Sequence, residues 1–257
     1  MTDTDGIDPI WDTLLNFPTD PPVGQAAREI PLLLEIIPFS ITGLVWLTVY
    51  VLIIRQGMRD KRVGMPVLAV GSNIAWEFTY AFMFPQPPVL QIASLLWFVI
   101  DVIILVQVFR YGRKDFPGFS ARSFVWTLVG WLTFTFSFMI LATYELADTR
   151  GGYATFFVVP FMQMMFVIML RIRRSTAGQS MYIAVLKLIG DVPGFIVLMA
   201  WFPNRYLFVL LFITEIFFDI VYIVMLRKQY AAEGRPLWRS APKQPEVASH
   251  DPAPQPA

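Results

Sequence analysis

The sequence predicts an all-α protein, a bundle of seven transmembrane helices with its N-terminus outside and its C-terminus in the cytoplasm. Three observations carry this. Of 257 residues 56% are hydrophobic and only 15% are charged, with a mean hydropathy of +0.57, well above the roughly 45–50% apolar usage of soluble domains. Seven apolar stretches approach the length needed to cross a bilayer, about 20 residues at 1.5 Å each. Lysine and arginine are concentrated in alternate loops, all on one side of the predicted bundle.

The stretches run from Ile30 to Ile54, Met65 to Phe84, Val89 to Phe109, Ser123 to Thr143, Tyr153 to Leu170, Met181 to Phe202 and Tyr206 to Leu226. Arg55, Arg59, Lys61 and Arg62 follow the first. The second and third are separated only by Pro85-Gln86-Pro87-Pro88, a rigid turn suited to an antiparallel pair. Arg110, Arg113, Lys114 and Arg122 flank the third and fourth, and the net acidic Glu145 to Arg150 precedes the fifth. Arg171, Arg173 and Arg174 follow the fifth; only Arg205 lies between the sixth and seventh; Arg227 and Lys228 close the series. The basic side is assigned to the cytoplasm, and a multi-pass protein of the cell membrane is expected.

Three regions follow. Residues 1–29 form an outer head: Asp3, Asp5, Asp8 and Asp12 with no basic start exclude a signal peptide. Asp8-Pro9 reads as a helix N-cap and first helical position, with Trp11, Leu14 and Leu15 on one face, so a short interfacial helix is expected. Residues 30–226 are the membrane domain. Residues 227–257 form a cytoplasmic tail, turning beyond about Ala231 to Pro, Ala, Gln and mixed charge and expected to be disordered.

Composition narrows the chemistry. There is no cysteine, and the one histidine, His250, lies in the tail. Thiolate nucleophiles, disulfides, sulfur-ligated metals and a histidine base or metal site in the bundle are thereby excluded, leaving carboxylates, lysine and tyrosine for proton chemistry. A net charge of +1, split between an acidic head and basic loops, argues against nucleic acid as a partner. The lipid bilayer and a small molecule remain.

An ionisable residue at the bilayer centre costs at least about 2.5–3.5 kcal/mol on insertion scales, so each needs a reason. The spans contain Glu77, Asp101, Lys187, Asp191, Glu215 and Asp219. Counting helical rise, Glu77 and Glu215 fall roughly 16–18 Å from the cytoplasmic end, Asp101 and Asp219 roughly 10–14 Å, and Asp191 at about 15 Å with Lys187 a turn below. All six share one layer, which implies a common polar pocket. Asn73, Glu77 and Tyr80 recur on one helical face, as do Glu215, Asp219 and Tyr222; Lys187 and Asp191 stand four apart and read as a mutually neutralising pair. Asp101 reads equally as a residue that hydrogen-bonds helices together. Glu77 and Asp219 have no basic residue one turn away, so each sits protonated or pairs across helices. A carboxyl taken out of water is a proton donor at neutral pH, and tryptophan and phenylalanine faces around it exclude water and stabilise cations. The same hardware suits a proton-coupled transporter.

The stretch Asn73-Ile74-Ala75-Trp76-Glu77-Phe78-Thr79-Tyr80, with Glu215-Ile216-Phe217-Phe218-Asp219-Ile220-Val221-Tyr222, resembles the integral-membrane terpene cyclases. These act in fungal meroterpenoid and indole-diterpene pathways, with bacterial relatives acting on prenylated indoles; a bacterial member is the expectation. The resemblance covers about Ile30 to Leu226. It implies that Glu77 and Asp219 are catalytic, with Glu77 the donor and Asp219 orienting it or relaying the proton. Asn73, Trp76, Tyr80, Asp101, Lys187, Asp191, Glu215 and Tyr222 would support the pocket. The implied reaction is protonation of a terminal alkene or epoxide on a prenyl chain, farnesyl in length, borne by an acceptor such as an indole compound, then ring closure through carbocations. No cofactor or metal is expected, and no Asp-Asp-x-x-Asp cluster is present. The competing readings are a seven-helix, repeat-built transporter and a retinal-binding protein using Lys187.

Overall fold

The structure is a computed structural model that describes residues 28–84, 86–203 and 205–238. Among these the chain is helical throughout, with seven α-helices and no strand. They are α1 (Leu32–Asp60), α2 (Val67–Phe78), α3 (Pro88–Tyr111), α4 (Ala121–Glu145), α5 (Gly152–Arg173), α6 (Met181–Trp201) and α7 (Tyr206–Ala232). Residues 1–27, with the expected head helix, lie outside the described residues.

Six of the helices are long and apolar enough to cross a membrane. α2 is the exception: twelve residues continued by a five-residue π-helical turn, Thr79–Met83. It lies between α3, α4 and α5, with Val67 and every residue from Ala69 to Glu77 buried. A helix enclosed by others needs no lipid-facing stripe. The long helices present the reverse picture, with Leu33, Ile37 and Leu44 on α1 and Leu210, Ile213 and Phe217 on α7 exposed. Apolar surface on this scale belongs against hydrocarbon.

α1 packs along α6, where Gly190 and Gly194 face it. A Cβ on Gly190 would lie 3.0 Å from Val45 Cγ1 and 3.2 Å from Trp46 Cδ1. Small residues allow this close approach between membrane helices, and here it brings the Trp46 indole onto α6. Gly151 caps the start of α5; its φ of +70° suits glycine and its missing Cβ makes room for the Tyr80 ring. Asp148 satisfies its first turn, accepting from Gly152 N at 2.8 Å and Ala154 N at 2.9 Å.

At the end carrying the basic loops, Asp115 takes Arg173 and Arg62, tying the α3–α4 connection to α5 and the α1–α2 connection. The start of the tail differs from expectation. α7 continues to Ala232, Glu233 accepts from Thr176 N at 2.8 Å, and Tyr182 OH donates to Trp238 O at 2.7 Å with the rings 5.3 Å apart. The chain beyond Ala231 is thus anchored as far as Trp238, because Glu233 supplies an acceptor to the buried Thr176 of the α5–α6 turn. Residues 239–257 lie outside the described residues.

Candidate active site

A cavity of about 160 Å³ opens inside the bundle between α1, α2, α3, α5, α6 and α7. Its walls are aromatic: Trp46, Trp76, Trp97, Phe156, Phe195 and Trp201 all face it. Ring contacts hold the wall in place, with Phe39 and Trp201 5.2 Å apart and Phe195 stacked on Phe212 at 3.8 Å. Three carboxyl groups line this surface, from Glu77, Asp191 and Glu215.

Glu77 stands on the last turn of α2, immediately before the π turn. Such turns recur at functional sites because they re-aim side chains that a regular helix would turn away. Tyr50 of α1 donates its hydroxyl to Glu77 Oε1 at 2.9 Å and accepts from Asn73 Nδ2 at 2.8 Å. Asp101 of α3 stands within reach of a hydrogen bond shared with Glu77. Among the described residues Glu77 Oε2 and both Asp101 oxygens have no donor. Two facing carboxyls taken out of water oppose each other's charge, which favours a proton on one of them.

The remaining ionisable residues form a second group. Lys187 Nζ donates to Asp219 Oδ1 at 3.2 Å, both side chains being 0% exposed, and also to Gln163 Oε1. The ammonium lies 3.8 Å from the Phe166 ring centre and 5.2 Å from that of Tyr222. The expected Lys187–Asp191 neutralising pair is corrected. Asp191 turns instead to α1, accepting from Trp46 Nε1 at 2.7 Å, and takes Gln163 Nε2 at 3.4 Å. The cause is Gly190, which lets Trp46 approach, while the longer lysine reaches across to α7. Asp191, Glu215 and Asp219 bring carboxylate oxygens within 4.8 Å of one another, a spacing that a divalent cation can bridge, with Lys187 already in contact there.

The single expected pocket is therefore two polar groups around one cavity. Glu77, Asn73 and Trp76 line it, as do Asp191 and Glu215. Asp101 stands behind Glu77, and Lys187 and Asp219 behind Glu215. Tyr80 and Tyr222 do not line it: the Tyr80 hydroxyl bonds Thr143 Oγ1 at 2.7 Å, and that of Tyr222 donates to Gln179 Oε1 at 3.0 Å. Sequence reasoning missed Tyr50, Gln163 and Trp46. Gln163 left a visible signal, a lone amide midway along an apolar span; Tyr50 and Trp46 look like ordinary span aromatics.

Fold and cavity together define a multi-pass integral membrane protein with an acid-lined aromatic chamber. Residues 18–232 match the model of the Pyr4-like transmembrane terpene cyclases, and the chain belongs to that family. The Pyr4-family terpene cyclase mfmH of Annulohypoxylon moriforme is 32% identical over 155 residues, 59% of this chain and 64% of that protein. Terpene cyclase ascF of Acremonium egyptiacum is 36% identical over 74 residues, 29% of this chain and 27% of the relative. Terpene cyclase cle7 of Aspergillus versicolor is 32% identical over 106 residues, covering 41% and 40%. The matches thus span less than two thirds of each relative's length. All three are fungal, which corrects the expectation of a bacterial member. No solved structure matches the chain.

Proposed function

We propose that this protein is a membrane-embedded terpene cyclase that protonates the terminal alkene or epoxide of a farnesyl-length prenyl chain carried on an acceptor. The observation that carries the reading is Glu77, with one oxygen fixed by Tyr50, the other without a donor, and an aromatic cavity before it. Glu77 gives its proton to the terminal alkene carbon or epoxide oxygen. Each double bond in turn supplies the electron pair that closes a ring, and the cation moves along the chain past tryptophan faces. Loss of a proton from carbon to the Asp191–Glu215 pair ends the cascade, so the product is an isomer of the substrate. The cycle closes as product leaves, when the Asp191–Glu215 pair gives its proton to water and Glu77 takes one back, Asp101 facing it as the second acid of that group. Asp219 acts as a positioning residue through Lys187. The mechanism calls on no metal or cofactor.

In this reading α2 with its π turn is the seventh crossing, shielded inside the bundle. The basic loops then face the cytoplasm, with the N-terminus outside and the tail within.

The test incubates membranes containing the protein with a farnesylated indole and with an epoxidised farnesyl phenol, and seeks isomers of unchanged mass and new retention time. Glu77→Gln keeps the shape and removes the acid, so it abolishes product while expression and membrane insertion persist. No isomer from either substrate with well-folded protein refutes the cyclase.

A further inference from the structure

At the Trp201 end of the cavity one side chain remains unexplained. Arg150, in the connection between α4 and α5, is the sole cation among the described residues lining the cavity. Its guanidinium carbon lies 4.3 Å from the centre of the Trp201 ring. Its Nη1 is buried without a hydrogen-bond partner, and Arg150 forms no ion pair among the described residues. The nearest carboxylate in sequence, Asp148, is engaged by the amides of Gly152 and Ala154. A buried donor without an acceptor is costly. Here the unpaired donor belongs to a cation at the wall of a cavity.

The distance from Arg150 to the acids fits a substrate held at both ends. Asp191 precedes Trp201, on which Arg150 rests, by ten residues of α6, and Glu215 lies nine residues into α7 from the same end. Helical rise makes that depth about 15 Å, the reach of a prenyl chain with its acceptor ring. A chain whose reacting end lies among the carboxyls of this cavity leaves its head at Arg150.

We infer that Arg150 is the specificity residue for the acceptor head, and that the head bears an acceptor oxygen, a carboxylate, phenolate or conjugated carbonyl, held by the guanidinium while its ring lies against Trp201. Arginine has only donors, in a planar fork that matches such oxygens. An unsubstituted indole offers a donor and no oxygen, and would leave Nη1 unpaired. This assignment rests on the cyclase reading for the orientation of the chain, and on Arg150 alone for the chemistry of the head.

The test reads binding without turnover, through quenching of the cavity tryptophans in detergent-solubilised protein titrated with a farnesylated hydroxybenzoate and with a farnesylated indole. The wild type binds the hydroxybenzoate at least tenfold more tightly. Arg150→Ala loses that preference while its affinity for the indole stays the same, and Arg150→Lys recovers part of it. In turnover the Arg150→Ala loss falls on KM and leaves kcat unchanged. Four results overturn the proposal: equal wild-type affinity for the two ligands, no binding of either by folded protein, Arg150→Ala binding the hydroxybenzoate as the wild type does, or a loss shared equally by both ligands. Arg150-dependent binding with no isomer formed from either ligand would instead defeat the cyclase reading and leave the head assignment standing. Isomer formed at wild-type KM by Arg150→Ala would do the reverse.

Discussion

Replacing Tyr50 by phenylalanine removes one oxygen atom from the link between Asn73 and Glu77. The ring stays, 5.7 Å from Trp46, so the cavity keeps its wall. Two bonds are lost, that to Glu77 Oε1 at 2.9 Å and that from Asn73 Nδ2 at 2.8 Å. A net hydrogen bond between neutral groups contributes about 0.5–1.5 kcal/mol. If that energy is what holds the protonated Glu77 in line with the substrate, its loss lowers kcat about 2- to 13-fold, at 1.36 kcal/mol per factor of ten. Thermal unfolding in detergent registers the same change as about 1–3 kcal/mol of lost stability from buried polar groups left unpaired. The contact from Asn73 Nδ2 to Glu77 runs through the Tyr50 hydroxyl, so Asn73→Ala should cost less alone and add almost nothing to Tyr50→Phe. The assay is the initial rate of isomer formation in membranes, with the melting temperature as control. Tyr50→Phe turning over and melting as the wild type does, or two fully additive substitutions, would refute the argument that this chain of bonds aims Glu77.

Two further outcomes follow from other parts of the molecule. Lys187→Met leaves Asp219 buried without its ion partner, so thermal unfolding should show a loss of about 3–5 kcal/mol, mostly recovered when Asp219→Leu is added; a single variant as stable as the wild type would rule out the pair. Asp148 is pushed up to about 6 by burial, against the opposing pull of the Ala154 and Gly152 amides. Its folded value lies above the unfolded one of about 4, so its contribution to stability is complete below that pH and is lost as pH rises through about 6. Asp148→Asn retains an acceptor for the amides and should flatten the fall in melting temperature across that window; an unchanged slope would exclude Asp148 as its source.

Much of the helical layout could be read from the sequence, because apolar length and loop charge are local properties. Six stretches became helices long enough to cross a membrane. α2 differs because what decides its length is its neighbours: enclosed by three helices, it stops after twelve residues and yields to a π turn, a choice with no composition of its own. The ionisable residues were all legible, since charge in an apolar span stands out against its background. Their partners were not. Spacing along α6 joined Lys187 to Asp191, but side chains of different reach chose partners on α7 and α1 instead. Tyr50 is invisible for the same reason, since its role lies in an oxygen aimed across an interface and its sequence neighbours are those of any membrane aromatic.

The division into two polar groups also gives the proposed proton transfer a direction. Asp191 receives two N–H donors, from Trp46 and Gln163, and Gln163 at the same time accepts from Lys187, so the cation reaches Asp191 through one amide. Donors of this kind favour negative charge on the carboxyl they face. Glu77 has no such help: its one donor is a tyrosine hydroxyl, and its neighbour Asp101 is another acid. Of two carboxyls on one cavity, the one without N–H donors is the one that still holds a proton to give, and the carbocation's last proton goes to the one whose donors favour the charged form. Asp219 fits this scheme without touching substrate. In the proposed scheme it anchors Lys187, whose ammonium meets the Gln163 amide that in turn faces Asp191.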